Sequence, residues 1–429
     1  MELRNKKMSS AYAPPCTIFA EHLVIKLILP LLLLCNLAWA QDTTAKIYNV
    51  TFSGTFKPDK GVVEAAIQVQ QKSHLLRALD LAAPEGEFSN FRGDGVIERK
   101  GKRLLWTVPK EGGSLFYNAT VNRQHGLLLD AKMTKDWAVL RLDDVFPTAQ
   151  VRSRAGAESR STLELHGPAG WRFESRYGPV HKPRAVEDPQ RRFDRPTGWL
   201  AAGNLGIRKE MIGKRMVTVA APQNQGMQRL DIIAFMRWTM PTLVKIFPDF
   251  PNRLLIVGGS DDMWRGGLSG PSSIYLHPER PLISENATSA LLHELVHIAT
   301  GQSPGPRDDW IIEGLAEYYS LEILRRSGGL GAKRYAQTLQ WLEAWAQKEN
   351  GRLTSPSSGA NTARAVLVFT QIQKELTADD AGSLDEIVRH LLASGSVTAE
   401  ELQLLVEDAL GKPSRRLNKA LQEYSKPGS

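Results

Sequence analysis

Between residue 45 and about residue 178, apolar and polar positions alternate in short runs broken by Gly, Pro, Asp and Asn. Segments 48–55, 62–70, 104–108, 115–121, 137–142 and 161–165 carry the two-residue period of a half-buried strand. They predict an antiparallel β domain, a sandwich or saddle, over 41–178, with a charged hairpin tip over 98–103. Residues 179–197 are rich in Pro, Arg and Asp, show no apolar period and read as a linker. The period then lengthens. In 227–247, Leu230, Ile233, Phe235, Met240 and Leu243 recur at helical spacing. Strands are expected at 254–257 and 272–276 and helices at 289–300 and 310–326, the last stopped by Gly328-Gly329. Together these make a mixed α+β domain over 198–330. Residues 331–429 read as helical, with helices at 335–349, 363–376, 384–393, 399–410 and 416–424. The predicted fold class is α+β: a β-rich N-terminal domain, a catalytic α+β domain and a C-terminal helical domain.

Composition narrows the possibilities. Of 429 residues, 42% are hydrophobic and 23% charged, enough for full-sized cores in two or three domains and unlike a disordered or fibrous chain. The net charge of +8 is spread out, with neither a concentrated basic face nor a recognition motif, so nucleic acid is not an expected partner. Residues 1–40 read as an export signal. Arg4, Lys6 and Lys7 precede an apolar run over 27–37, and Ala38-Trp39-Ala40 supplies a small-x-small cleavage pattern; Met8 is an alternative start. Cleavage leaves no membrane span, an uncleaved signal anchor being the alternative, and an exported, periplasmic or secreted protein is expected. Both cysteines, Cys16 and Cys35, lie inside this leader. The mature chain therefore offers neither disulfides nor thiolate ligands, and a cysteine nucleophile is excluded.

The sharpest chemical signal is His293-Glu294-Leu295-Val296-His297. Four helical residues turn through about 400°, so the two imidazoles share one face, one turn apart. They can supply two corners of a zinc tetrahedron, and Glu294, beside that face, can take a proton from an activated water. A third ligand is expected from Trp310-Ile311-Ile312-Glu313-Gly314-Leu315-Ala316-Glu317-Tyr318-Tyr319. Glu313 follows His297 by enough residues for a turn and a return helix, and an acid among Trp310, Ile311, Ile312 and Leu315 is costly to bury unless paired or coordinated. Two histidines and a glutamate with one open position form a catalytic, not a structural, zinc set.

These two helices, HELVH and then WIIEGLAEYY, resemble the gluzincin zinc metallopeptidases, and within them the glycyl aminopeptidase family. The likeness runs over about 198–424 and includes the phrase Arg326-Ser327-Gly328 after the second helix. It implies a thermolysin-like catalytic domain holding one Zn²⁺ on His293, His297 and Glu313, with Glu294 as general base and Glu317 orienting a histidine. Two departures stand out. Where the family has Gly-Gly-Leu-Glu-His on the strand edging the cleft, this chain has Gly266-Gly267-Leu268-Ser269-Gly270, without the acid that holds a substrate's free amine. The family's oxyanion-stabilising Tyr has Thr362 as its nearest counterpart, which leaves Tyr318, Tyr319, Tyr275 and Arg364 as candidates. Residues 266–277 are either an edge strand onto which a peptide adds, with Gly266, Gly267, Leu268 and Tyr319 contacting substrate, or an ordinary Gly-rich turn.

The sequence thus predicts an exported zinc metallopeptidase acting on peptides or proteins, with exo- and endopeptidase action both open. The competing reading is an inactive zinc- or peptide-binding envelope protein that kept the metal helices and lost the oxyanion donor.

Overall fold

The computed structural model describes residues 46–187, 193–301, 307–348, 353 and 357–425. The predicted leader over 1–40 lies outside them, as do parts of the loops at 301–307 and 350–361.

The β-rich part forms as its alternation predicts. One six-stranded sheet runs in the order Arg184–Val186, Ala157–His166, Lys46–Lys57, Val62–Gln70, Gly112–Thr120, Phe88–Gly93. Along Lys46–Lys57, Tyr48, Val50, Phe52 and Phe56 point inward and their neighbours outward. A four-stranded sheet built on Leu76–Ala82 and Arg103–Thr107 covers this core. A second six-stranded sheet contains Trp137–Arg141 paired antiparallel with Trp199–Gly203.

Of the stretch expected to be a linker, the described residues are instead integrated. Arg184–Val186 pairs with Ala157–His166, and Val180, Val186 and Phe193 are buried in the N-terminal core. Arg195 is 4% exposed, with its guanidinium on Phe146 O at 2.6 Å and Asp143 Oδ1 at 2.9 Å. A few isolated apolar side chains and one buried, ion-paired cation anchor this segment without any period to announce it.

The next unit is a five-stranded sheet. In chain order its strands are β1 (Leu205–Ile212), β2 (Arg215–Pro222), β3 (Arg253–Val257), β4 (Gly267–Gly270) and β5 (Ser273–Leu276), arranged β1-β2-β3-β5-β4. The β1–β2 hairpin is an addition to the sequence reading. β2, β3 and β5 are mutually parallel, while β4 runs antiparallel to β5 and ends the sheet. The helices are α1 (Arg229–Ile246), α2 (Ala290–Thr300), α3 (Asp309–Arg326), α4 (Ala332–Ala346), α5 (Ala360–Ala378), α6 (Leu384–Ser394), α7 (Ala399–Leu410) and α8 (Arg415–Ser425). All lie within a few residues of their predicted spans.

The two faces of the β1–β5 sheet have different partners. Ile274 and Leu276 of β5 face a core shared with α1, α2 and α3, and that core continues through α5, α6, α7 and α8 as far as Ala420. Tyr275 faces the other way, into a smaller core with Trp137, Val139, Trp199, Leu255 and Val257, which joins this sheet to the β-rich part.

Candidate metal centre

α2 and α3 bring the chemistry together, and each is held in place locally. Ser289 caps α2, its side chain accepting from Leu292 N–H, and Gly301 closes it in the left-handed conformation, its N–H bonding His297 O at 3.0 Å. Leu291, Leu292, Leu295 and Val296 bury one face of α2, leaving His293, Glu294 and His297 on the half-open side. α3 is enclosed almost all round. From Trp310 to Leu324, Glu313 and Glu317 alone escape full burial, a two-carboxylate notch one turn apart. Gly314, beside Glu313, permits a close helix crossing: a Cβ there would lie 2.4 Å from Ala365 Cβ and 2.9 Å from Phe369 Cε2. Ser320 Oγ donates to Ser289 O at 3.2 Å and ties α3 to the start of α2.

Within this frame, His293 Nε2 and His297 Nε2 stand 3.0 Å apart, and each is 3.4 Å from an oxygen of Glu313. On the far side of its ring, His293 Nδ1 lies 3.1 Å from Glu317 Oε2, so Glu317 fixes the ring and directs Nε2 at the cluster. Two imidazole nitrogens this close share either one N–H···N hydrogen bond or a cation between them. Three ligand atoms each about 2.0–2.1 Å from a tetrahedral zinc stand about 3.3 Å apart; here the two imidazole nitrogens are 3.0 Å apart and each lies 3.4 Å from a different oxygen of Glu313, close to that spacing. Among the described residues this is the one His/Cys/Asp/Glu cluster compact enough for a metal.

The electrostatics agree. Burial alone would lower the His293 pKa, yet its hydrogen bonds to Glu313 and Glu317 overcome that and push it up to about 10. Burial would likewise raise Glu313, but its bonds to His293 and His297 draw it down to about 2. The cluster therefore favours positive charge. The residues fit zinc.

Glu294 lies where the edge strand meets α2. A Cβ on Gly267 would sit 2.6 Å from Glu294 Cγ and 3.0 Å from its Oε1, so a bare glycine is what admits this carboxylate beside β4. Residues 266–270 are thus an edge strand against the metal helix rather than a simple turn. Gly266 makes room for Trp264, whose Nε1 would be 2.5 Å from a Cβ there. Leu268 packs partly into the smaller core, and its carbonyl accepts from Trp199 Nε1 at 2.9 Å.

The tyrosine predicted to touch substrate does not. Tyr319 is fully buried on the opposite face of α3, about 200° round from Glu317, with its hydroxyl on Asp385 Oδ1 at 3.2 Å. The other oxyanion candidates have surroundings of their own. Tyr318 lines a cleft with Glu322, Tyr335 and Asp385. Arg364 is buried on Asn361 Oδ1 and Ala346 O, both at 2.6 Å. Tyr275 faces away from α2, its ring tilted against that of Trp199 with centroids 5.2 Å apart.

By sequence, neither a family model nor a curated protein matches the chain. By structure it is similar to an aminopeptidase N family protein from Idiomarina loihiensis, at 14% identity with a TM-score of 0.62, over 87% of this chain and 73% of that one. Yeast LTA4 hydrolase in complex with bestatin is similar at 14% identity and 0.59, over 89% of this chain and 68% of that one. Legionella pneumophila aminopeptidase A in complex with aspartic acid follows at 12% and 0.54, over 89% and 50%. The likeness to gluzincin peptidases read from two helices thus extends to the architecture, and the chain has the fold of the aminopeptidase N and LTA4 hydrolase structures.

Proposed function

We propose that this chain is an exported zinc metallopeptidase that hydrolyses peptide bonds. The observation that carries the reading is the cluster of two imidazole nitrogens and a carboxylate at 3.0, 3.4 and 3.4 Å with Glu294 beside it. His293, His297 and Glu313 would hold the zinc, which when bound acidifies water and polarises a carbonyl. The remaining work belongs to the protein. Glu317 accepts from His293 Nδ1–H and fixes that ring's tautomer. An extended peptide adds to β4, the open edge of the sheet, and Gly267 lets both the peptide backbone and Glu294 approach. The Glu294 carboxylate takes a proton from water as the water attacks the scissile carbonyl, then passes it to the leaving amine. Export rests on the leader pattern over 1–40. No helix among the described residues is long and apolar enough to cross a membrane.

A second reading has one observation in its favour. Tyr318, Tyr319, Tyr275 and Arg364 are all turned away or bonded elsewhere, which suits a binding protein that no longer stabilises an oxyanion. One experiment separates the two: incubation of the protein with a peptide library, with and without a chelator, beside Glu294→Gln. The peptidase reading expects chelator-sensitive cleavage by the wild type, and a Glu294→Gln protein that keeps one zinc but cleaves nothing. Stoichiometric zinc without cleavage of any peptide by the wild type would favour the binding protein.

A further inference from the structure

The β-rich part places a cation beside the edge strand. Arg141 and Trp199 are directly opposite one another on paired strands, so their side chains lie on the same face. That face is turned toward the β1–β5 sheet, because Trp199 packs with Tyr275, Leu255 and Val257. The Trp199 indole reaches β4 itself through its bond to Leu268 O, and the Arg141 guanidinium lies over the same indole, 4.7 Å from the ring centroid. Arg141 is therefore stationed next to β4, and its side chain is 30% exposed.

This guanidinium is oriented but underused. Among the described residues it donates no hydrogen bond. Asp130 Oδ2 stands 3.9 Å from Nη1, too far for one, and Asp144 is nearer to Arg123, at 3.5 Å. A guanidinium has five N–H donors in a planar fork, enough for Asp130 and a second carboxylate together. β4 carries no charge of its own, its residues being Gly267, Leu268, Ser269 and Gly270. Leu268 follows Gly267, the residue that admits Glu294, so the indole under Arg141 meets β4 one residue from the general base.

We propose that Arg141 is the anion-binding group of the substrate groove, selecting peptides that present a carboxylate within two residues or so of the scissile bond. The proposal rests on the peptidase reading. The carboxylate comes either from an acidic side chain or from a free C-terminus. Arg141 also opposes a free α-amine at the same place, which accords with Ser269 standing on β4 in place of an acid.

The test is a scan of one peptide with Glu, Gln or Lys at each of three positions on either side of the cleaved bond, made with a free or an amidated C-terminus. The wild type is expected to favour Glu over Gln at one position, or the free acid over the amide, by roughly tenfold to a hundredfold in kcat/KM, the range for one charge-assisted pair. The arm that shows the effect identifies the source of the carboxylate. In Arg141→Gln that ratio should fall toward one, and in Arg141→Lys it should survive in part. A wild type without any acid preference overturns the proposal and needs no variant. An undiminished ratio in a folded Arg141→Gln protein overturns it equally. Calorimetric binding of the same peptides to Glu294→Gln keeps the two readings apart. Arg141-dependent carboxylate binding without hydrolysis by the wild type sustains the anion site and removes the peptidase, whereas hydrolysis indifferent to acids does the reverse.

Discussion

Gly267→Ala is the most direct perturbation of the link between β4 and the general base. Gly267 is not among the residues with positive φ, so alanine suits the backbone and the effect is one of space alone. The new methyl would lie 2.6 Å from Glu294 Cγ and 3.0 Å from Oε1, whereas non-bonded carbons settle at about 3.5–4.0 Å. Relief requires Glu294 to retreat by about 1 Å, and a misplacement of that size costs about a hundredfold in rate. The zinc ligands are not touched. We therefore expect kcat/KM to fall by roughly ten- to a hundredfold, with zinc content by elemental analysis unchanged and a small loss of thermal stability. Glu294→Asp, whose shorter side chain withdraws from the methyl, should lose less in the Gly267→Ala background than in the wild type, a non-additivity read from the double-mutant cycle. Activity of Gly267→Ala within about twofold of wild type, or loss of its zinc, would refute this placement of Glu294.

Four further outcomes are expected. Glu317→Gln should weaken zinc binding by about 10–100-fold, measured by chelator competition, because His293 Nδ1 loses its carboxylate partner. Gly314→Ala should destabilise by about 1–3 kcal/mol in urea unfolding, since its Cβ would overlap Ala365 and Phe369. Tyr319→Phe removes the bond to Asp385 and should cost about 1 kcal/mol of stability while leaving peptide hydrolysis intact. In chelator-treated protein, the His293 contribution is complete below its ordinary 6.5 and disappears as pH rises through about 10. That of Glu313 is complete above its ordinary 4.5 and disappears as pH falls through about 2. The urea midpoint should therefore be highest between 4.5 and 6.5 and drop on either side; a flat profile would contradict the pairing.

What could be read from the sequence followed from periodicity and from the cost of burying charge. The metal helices were legible because His293 and His297 stand four apart on one helix face and Glu313 stands among Trp310, Ile311, Ile312 and Leu315, where an acid is costly to bury unless paired or coordinated. Tyr319 differs from its expected place at the substrate because it lies two residues after Glu317 on the same helix, and two residues along a helix face nearly opposite ways. Residues 179–197 were misread because Val186, Phe193 and Arg195 act singly and leave no repeating pattern. The β1–β2 hairpin has no such signal in its first strand, since Leu205–Ile212 is buried only at its two ends and does not alternate, although Arg215–Pro222 reads as a buried strand in its own right. Arg141 could not have been found by any local pattern. Its meaning depends on Trp199, 58 positions later in the chain, and on Leu268 beyond that.

The continuous core running from the sheet through α3 to α8 has a practical consequence for anyone seeking a minimal catalytic fragment. Asp308 Oδ1 accepts from Ala399 N–H and Asp309 Oδ2 from Ser357 N–H, so the entry to the second metal helix is pinned from the C-terminal side. Trimming the last helices would strip the packing that keeps Glu313 aimed at its histidines. The liganding geometry and the tail should be lost in a single cooperative melt, and a crop ending near residue 330 should yield an insoluble product rather than a smaller enzyme.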